Sequence, residues 1–129
     1  MYIADLHIHS RFSRATSKDG DLPHLDWWAR RKGIGLVGTG DFPHPAWRAE
    51  LREQLVPAGE GLYTLREDLR LPDGAPGPAP RFVITGEISC IYKRHGKTRK
   101  VHNLILLPSL AAADELSARL EAIGNIHSD

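Results

Sequence analysis

Apolar and polar positions along this chain fall into blocks that predict four strong strands and three helices. Residues 2–8 (Tyr-Ile-Ala-Asp-Leu-His-Ile) read as a buried strand, and the polar residues 10–21 as a loop. A helix follows from Asp21 or Leu22 to Lys32. Asp21 can cap it, Pro23 sits in its first turn, and Gly33 lies just past its end. Leu22, Leu25, Trp28 and Ala29 recur at helical spacing and predict its core face. The apolar run 34–39 reads as a second buried strand, ending at Gly40-Asp41. Strand, helix and strand in this order predict a βαβ unit in a parallel sheet.

His44-Pro45 opens a second helix to about Leu55, with Trp47, Leu51 and Leu55 as an i, i+4, i+8 stripe. Residues 56–69 are mixed, with a short strand at 62–65 as one reading. Residues 72–80 are rich in proline and glycine and read as a surface loop. Residues 81–88 form the third core strand, and 90–93 either continue it or start a hairpin. Residues 94–98 read as a turn and 100–107 as the fourth strand. Ser109 can cap a last helix to about Ile123, with Leu116, Leu120 and Ile123 on one face and Gly124 as its stop.

Composition narrows the class. The chain has 129 residues, of which 41% are hydrophobic and 26% charged, so one modest folded domain fits and a disordered chain does not. A net charge of +1 makes any basic patch a local matter. The single cysteine, Cys90, excludes an internal disulfide framework and fits a reducing cytoplasm; it reads as a small buried hydrophobe. No apolar run is long enough to cross a membrane, and no leader pattern precedes the first strand.

The chemistry concentrates at strand ends. His7 and His9 alternate with Leu6 and Ile8, so in an extended strand both imidazoles share one face, about 7 Å apart, within reach of a small metal cluster. Asp5 and Ser10 beside them can fix ring tautomers. Asp41 follows the second strand; it is either a ligand or the cap of the helix beginning near Pro45. Glu87 lies in an apolar strand where an unpaired carboxylate is costly, which points to a partner. His102, between Val101 and Asn103, is either a ligand or a satisfied core histidine. Imidazole and carboxylate together suit zinc, manganese or iron better than magnesium, and Glu87 can bridge two metals about 3.5–4 Å apart. His24, His44, His95 and His127 carry no predicted metal role, although His44 stands close enough to Asp41 to touch substrate.

Arg11, Arg14 and Lys18 in the loop after the His pair are candidate phosphate contacts. Lys93, Arg94, Lys97, Arg99 and Lys100 are either a solvated strand edge or a grip on a nucleic-acid backbone, with Lys97, Arg99 and Lys100 the candidate DNA contacts. Gly96-Lys97-Thr98 does not complete a phosphate loop, because Ile91 occupies the leading glycine position. Gly38-Thr39-Gly40 is too little for a dinucleotide fingerprint, so no nucleotide cofactor is expected.

Asp5-Leu6-His7-Ile8-His9-Ser10 resembles the opening motif of the polymerase-and-histidinol-phosphatase (PHP) superfamily of metal-dependent phosphoesterases. In that pattern a Thr-Asp-His motif follows the second strand. Here Thr39-Gly40-Asp41 puts Asp41 where the histidine is usual, Glu87 matches the bridging glutamate, and His102 the histidine after it. The loop serine is usually followed by an acidic ligand, whereas Arg14 and Ala15 follow Ser13. A closer resemblance, over nearly the whole chain, is to the endonuclease Q family. It is carried by Asp5–Ser13, Gly38-Thr39-Gly40-Asp41-Phe42, Thr85-Gly86-Glu87 and Lys100-Val101-His102-Asn103-Leu104.

The resemblance implies an α/β fold, specifically the N-terminal half of an incomplete (β/α) barrel of the PHP type over residues 1–129, inactive alone. It implies His7, His9, Asp41, Glu87 and His102 as metal ligands and Glu87 and Asp41 as catalytic groups. A divalent metal cluster, zinc first and manganese, iron or magnesium after it, would activate water for in-line attack at phosphorus. The implied reaction is DNA cleavage 5′ of deaminated bases such as uracil and hypoxanthine. A small-molecule phosphatase of the same superfamily and a non-catalytic DNA-binding remnant are the alternatives.

Overall fold

The Asp21 side chain accepts the His24 backbone N–H at 3.0 Å and so starts the first helix, α1 (Leu22–Lys32). Gly33 ends it in the left-handed region, at φ 70°. These contacts come from a computed structural model, which describes residues 1–72 and 76–126. The buried face of α1 is Leu22, Asp26 and Ala29, an i, i+4, i+7 row. Leu25 packs against the core from the side, while Trp28, expected inside, is 50% exposed because it lies off that row. The row instead buries Asp26, whose carboxylate accepts from Arg30 Nε at 2.9 Å.

Three strands run parallel in the order β1 (Ile3–Asp5), β2 (Ile34–Gly38) and β5 (Arg81–Arg94). Two short strands, β3 (Leu55–Pro57) and β4 (Tyr63–Leu65), pair antiparallel with each other, and β4 pairs antiparallel with β5. The sixth strand, β6 (Lys97–Leu107), pairs antiparallel with β5 along its length. The sheet is therefore mixed rather than parallel. A tight turn between β5 and β6 permits only antiparallel return, and the short link from β3 to β4 does the same. The first strand is shorter and less buried than expected. It pairs with β2 alone, and Tyr2 and Ile3 are exposed, while Ile8 beyond it packs on the core.

The second helix, α2 (Pro45–Gln54), is capped by His44, whose ring Nδ1 accepts the Trp47 N–H at 3.4 Å. Asp41 is thus not its cap. Trp47, Leu51 and Leu55 are all buried, but Leu55 already belongs to β3. A short 3-10 helix, Glu67–Leu69, precedes the proline-rich loop, of which residues 73–75 lie outside the described set. Ser109 caps the last helix, α3 (Leu110–Ile123), through the Ala112 N–H at 3.0 Å. Its buried positions are Ala113 and Ser117, flanked by Leu116 and Leu120; Ile123 is exposed, one turn beyond the contact. Phe42, Trp47, Leu51, Phe82 and Ile84 form the centre of the core.

His95 and Gly96 join β5 to β6 with φ values of 52° and 71°, the two positive values of a type I′ hairpin turn. The turn is thus shorter than the expected 94–98, and both flanking strands are longer. Residues 89–104 are exposed throughout, including Cys90, which was expected inside.

Candidate metal centre

The site forms where the exits of β1 and β2 meet the middle of β5. Two buried threonine side-chain hydroxyls fix the β2 exit. Thr39 Oγ1 accepts from the Thr85 N–H at 3.1 Å, and Thr85 Oγ1 accepts from the Gly40 N–H at 2.9 Å; both threonines are fully buried. The Phe42 N–H donates to the Thr85 carbonyl at 3.2 Å, and Trp47 Nε1 donates to the Gly40 carbonyl at 2.9 Å. Gly40 sits at φ 67°, and a Cβ there would stand 2.3 Å from the Ile8 carbonyl oxygen. This contact requires glycine and lets the β1 exit lie against the β2 exit. Asp41 follows in the left-handed region at φ 48°, which aspartate tolerates better than most residues.

In this position Asp41 is saturated with donors. Its Oδ2 accepts from Ser10 N–H and Ser10 Oγ, both at 2.6 Å, and from Ser13 Oγ at 2.9 Å. Its Oδ1 faces His9 Nδ1 at 3.2 Å. Thr16 Oγ1 donates to the carbonyls of Ser10 and Ser13 at 2.9 Å each, pinning the loop that carries these serines.

Glu87 is the hub of the opposite wall. Its Oε2 pairs with His7 Nε2 and lies 3.9 Å from His9 Nε2; its Oε1 pairs with His102 Nδ1. His102 reaches it from β6, where it stands across from Ser89. The His102 hydrogen bond, followed by that from His7, holds the Glu87 carboxyl below the usual carboxylate range, against the opposing effect of burial. One donor atom each from His7, His9 and Glu87 lies within 4.8 Å of the others, a spacing and chemistry that fit a transition-metal ion. His9 turns Nε2 toward that group and Nδ1 toward Asp41, the carboxylate–imidazole arrangement that orients metal-binding histidines.

The group opens into a cleft of about 610 Å³ lined by His9, Arg14, Asp41, His44, Glu87, Lys100 and His102, among others. Arg14 and Lys100 therefore face the same space as the imidazoles. Arg11 turns away: it pairs with Glu50, lies 3.9 Å from Asp21, and covers the Phe12 ring. Lys18, Lys97 and Arg99 are exposed and do not line the cleft. Asp5 lines a separate apolar groove with Leu25 and Trp28. His127 lies outside the described residues. Sequence reasoning gave no site role to Ser13, Phe12 or Ser89, although Phe12 and Ser13 lie in the stretch that carries the family resemblance. The one readable signal was Ser13, four residues after His9; Phe12, stacked on His44 at 4.4 Å between ring centroids, and Ser89, placed by hairpin register, left none.

The fold, helices packed on a mixed sheet, is similar to that of solved DNA endonucleases. The particular likeness is to endonuclease Q. The crystal structure of the lesion-specific endonuclease PfuEndoQ from Pyrococcus furiosus matches with a TM-score of 0.73 and 27% identity, over 97% of this chain and 26% of that one. Endonuclease Q in complex with a 27-mer duplex bearing an abasic lesion at the active site matches with a TM-score of 0.72 and 27% identity, over 96% of this chain and 27% of that one. Among curated proteins, the chain is 34% identical over 112 residues to the uncharacterized protein MJ0043 of Methanocaldococcus jannaschii. That match takes in 87% of this chain and 10% of the relative, so the chain spans about a tenth of that relative and about a quarter of the endonuclease Q chains. No protein-family model matches it. Among the described residues no helix is long and apolar enough to cross a membrane.

Proposed function

We propose that this chain carries the metal-binding part of a DNA endonuclease of the endonuclease Q type, a PHP-like phosphodiesterase that cuts 5′ of deaminated bases. The observation that carries the reading is Glu87, whose two carboxylate oxygens face different histidines in a cleft open to substrate. The parallel run β1-β2-β5 is consistent with part of a (β/α) barrel, with the site at the exits of β1 and β2.

In this reading His7, His9 and Glu87 would hold a divalent metal, zinc fitting the donor set best, and His102 holds the other Glu87 oxygen. Manganese or iron suits the same donors. When bound, the metal supplies Lewis-acid polarisation of the phosphate and activation of water. Asp41 orients His9 and keeps Nε2 available to the metal, a supporting role in place of direct ligation. Arg14 and Lys100 stand where they can bind a phosphate that reaches the cleft, while Arg11 stabilises the loop through Glu50.

The test is nicking of an end-labelled duplex carrying one uracil or hypoxanthine by the full protein of which, in this reading, the chain is the metal-binding part, with zinc, manganese or magnesium supplied. The reading expects a metal-dependent nick on the 5′ side of the lesion that Glu87→Gln abolishes. Hydrolysis of aryl phosphate monoesters with intact DNA would instead establish a small-molecule phosphatase. DNA binding without hydrolysis under every metal would establish a non-catalytic binding module.

A further inference from the structure

We propose that the β5–β6 ribbon is a duplex-reading arm that lies along DNA on one side of the reacting phosphate and grips the backbone about six base pairs away. The inference rests on the endonuclease reading above. The ribbon is antiparallel and its register is continuous from Glu87↔Leu104 to Arg94↔Lys97. Cross-strand partners share a face, so Glu87, Ser89, His102, Ile91, Lys100, Lys93 and Thr98 lie on one side. Chemistry and arm are therefore built on the same surface of the same strand.

Distance follows from strand geometry. Lys93 stands six residues beyond Glu87 on β5. At about 3.4 Å per residue the separation is about 20 Å, or about six base pairs of B-form DNA. Lys100, opposite Ile91, falls between the two and lines the cleft.

Charge and exposure agree. Residues 88–113 contain no aspartate or glutamate, while Lys93, Arg94, Lys97, Arg99 and Lys100 surround the turn. A ribbon built to cover a core would carry one apolar face. Here residues 89–104 are exposed on both faces, and the face away from the site, which carries Cys90, Tyr92 and Val101 nearer the sheet, bears Arg99, Arg94 and Lys97 at its outer end. Basic residues on both faces suit a two-stranded ribbon inside a groove, because the major groove admits such a ribbon and places phosphates on either side of it. The type I′ turn at His95-Gly96 keeps the end narrow enough to enter.

The experiment measures binding of the chain by fluorescence anisotropy to uracil-containing duplexes whose arms are trimmed separately. Each arm is cut from about ten to about three base pairs, less than the reach of the ribbon. Wild-type protein should lose affinity when one particular arm is trimmed and not the other. With Lys93→Gln, Arg94→Gln and Lys97→Gln combined, long and short duplexes should bind alike, and the slope of log affinity against log salt should fall by about 2–3, at about 0.9 per phosphate contact. The charge-reversed triple variant, with glutamate at the same positions, should bind the long-armed duplex more weakly than the trimmed one, an inversion that misfolding cannot produce. An unchanged long-to-short ratio in both variants overturns the arm while leaving the endonuclease reading intact. A wild-type chain that binds no duplex overturns both.

Discussion

Gly40→Ala tests whether the site depends on the close approach of the β1 and β2 exits. Two effects add at this position. The φ of 67° places alanine in the left-handed region, at about 1–2 kcal/mol. The new methyl would also stand 2.3 Å from the Ile8 carbonyl oxygen and 3.3 Å from the His9 Cα, so backbone must move, at about 1–3 kcal/mol by comparison with overpacked cores. The sum is about 2–5 kcal/mol, or about 8–20 °C in Tm at roughly 4 °C per kcal/mol for a chain of this size. Gly33→Ala separates the two effects. Its φ is 70°, but nothing lies within 4 Å of the added Cβ, so strain alone should lower Tm by about 4–8 °C. Differential scanning calorimetry of both variants supplies the comparison, and zinc titration of the Gly40 variant should show weakened binding because His9 shifts with its backbone. Equal Tm losses in the two variants would refute the close-approach argument.

Asp41→Asn should weaken zinc binding by about 10–100-fold, read by isothermal titration, because the amide no longer fixes His9 as a carboxylate does; unchanged affinity would remove Asp41 from the site. Asp26 should show a pH signature. Burial raises its pKa against the opposing influence of Arg30, so the folded form holds a proton more tightly than the unfolded form. The resulting penalty is present above the folded pKa and relieved as pH falls toward the ordinary carboxylate value. Urea unfolding should therefore show wild type gaining stability relative to Asp26→Asn on acidification from neutral pH, and a gap that widens the other way would contradict the burial argument.

Legibility in the sequence tracked local signals. α1 was readable because Asp21 and Gly33 mark its two ends, and the Trp47, Leu51, Leu55 stripe because it repeats at one helical face. The His pair and Glu87 stood out as polar groups in apolar strands, and their meeting follows from the parallel pairing of β1, β2 and β5. The donors that saturate Asp41 were less visible. Serines in a polar loop look like solvent-facing residues until Thr16 and the Gly40 turn fold the loop back. β3 and β4 are three residues each, too short to show a period. The outer ribbon was readable as two strands around a turn at 94–98; what the sequence did not show is that pairing continues to Arg94 and Lys97 and leaves residues 89–104 exposed. Trp28, Cys90 and Ile123 are apolar residues that the fold leaves outside, whereas Asp26 is a charge that it buries; hydrophobicity alone assigns all four to the wrong side.

The central claim is that Glu87 and its histidines form one metal site. Elemental analysis by plasma mass spectrometry, after zinc loading and exhaustive buffer exchange, addresses it most directly. The account predicts at least one tightly held zinc per chain, lost when His7, His9 and Glu87 are replaced together by alanine, asparagine and glutamine respectively. Stoichiometric zinc retained by that triple variant, or no zinc retained by a folded wild-type chain, would contradict it.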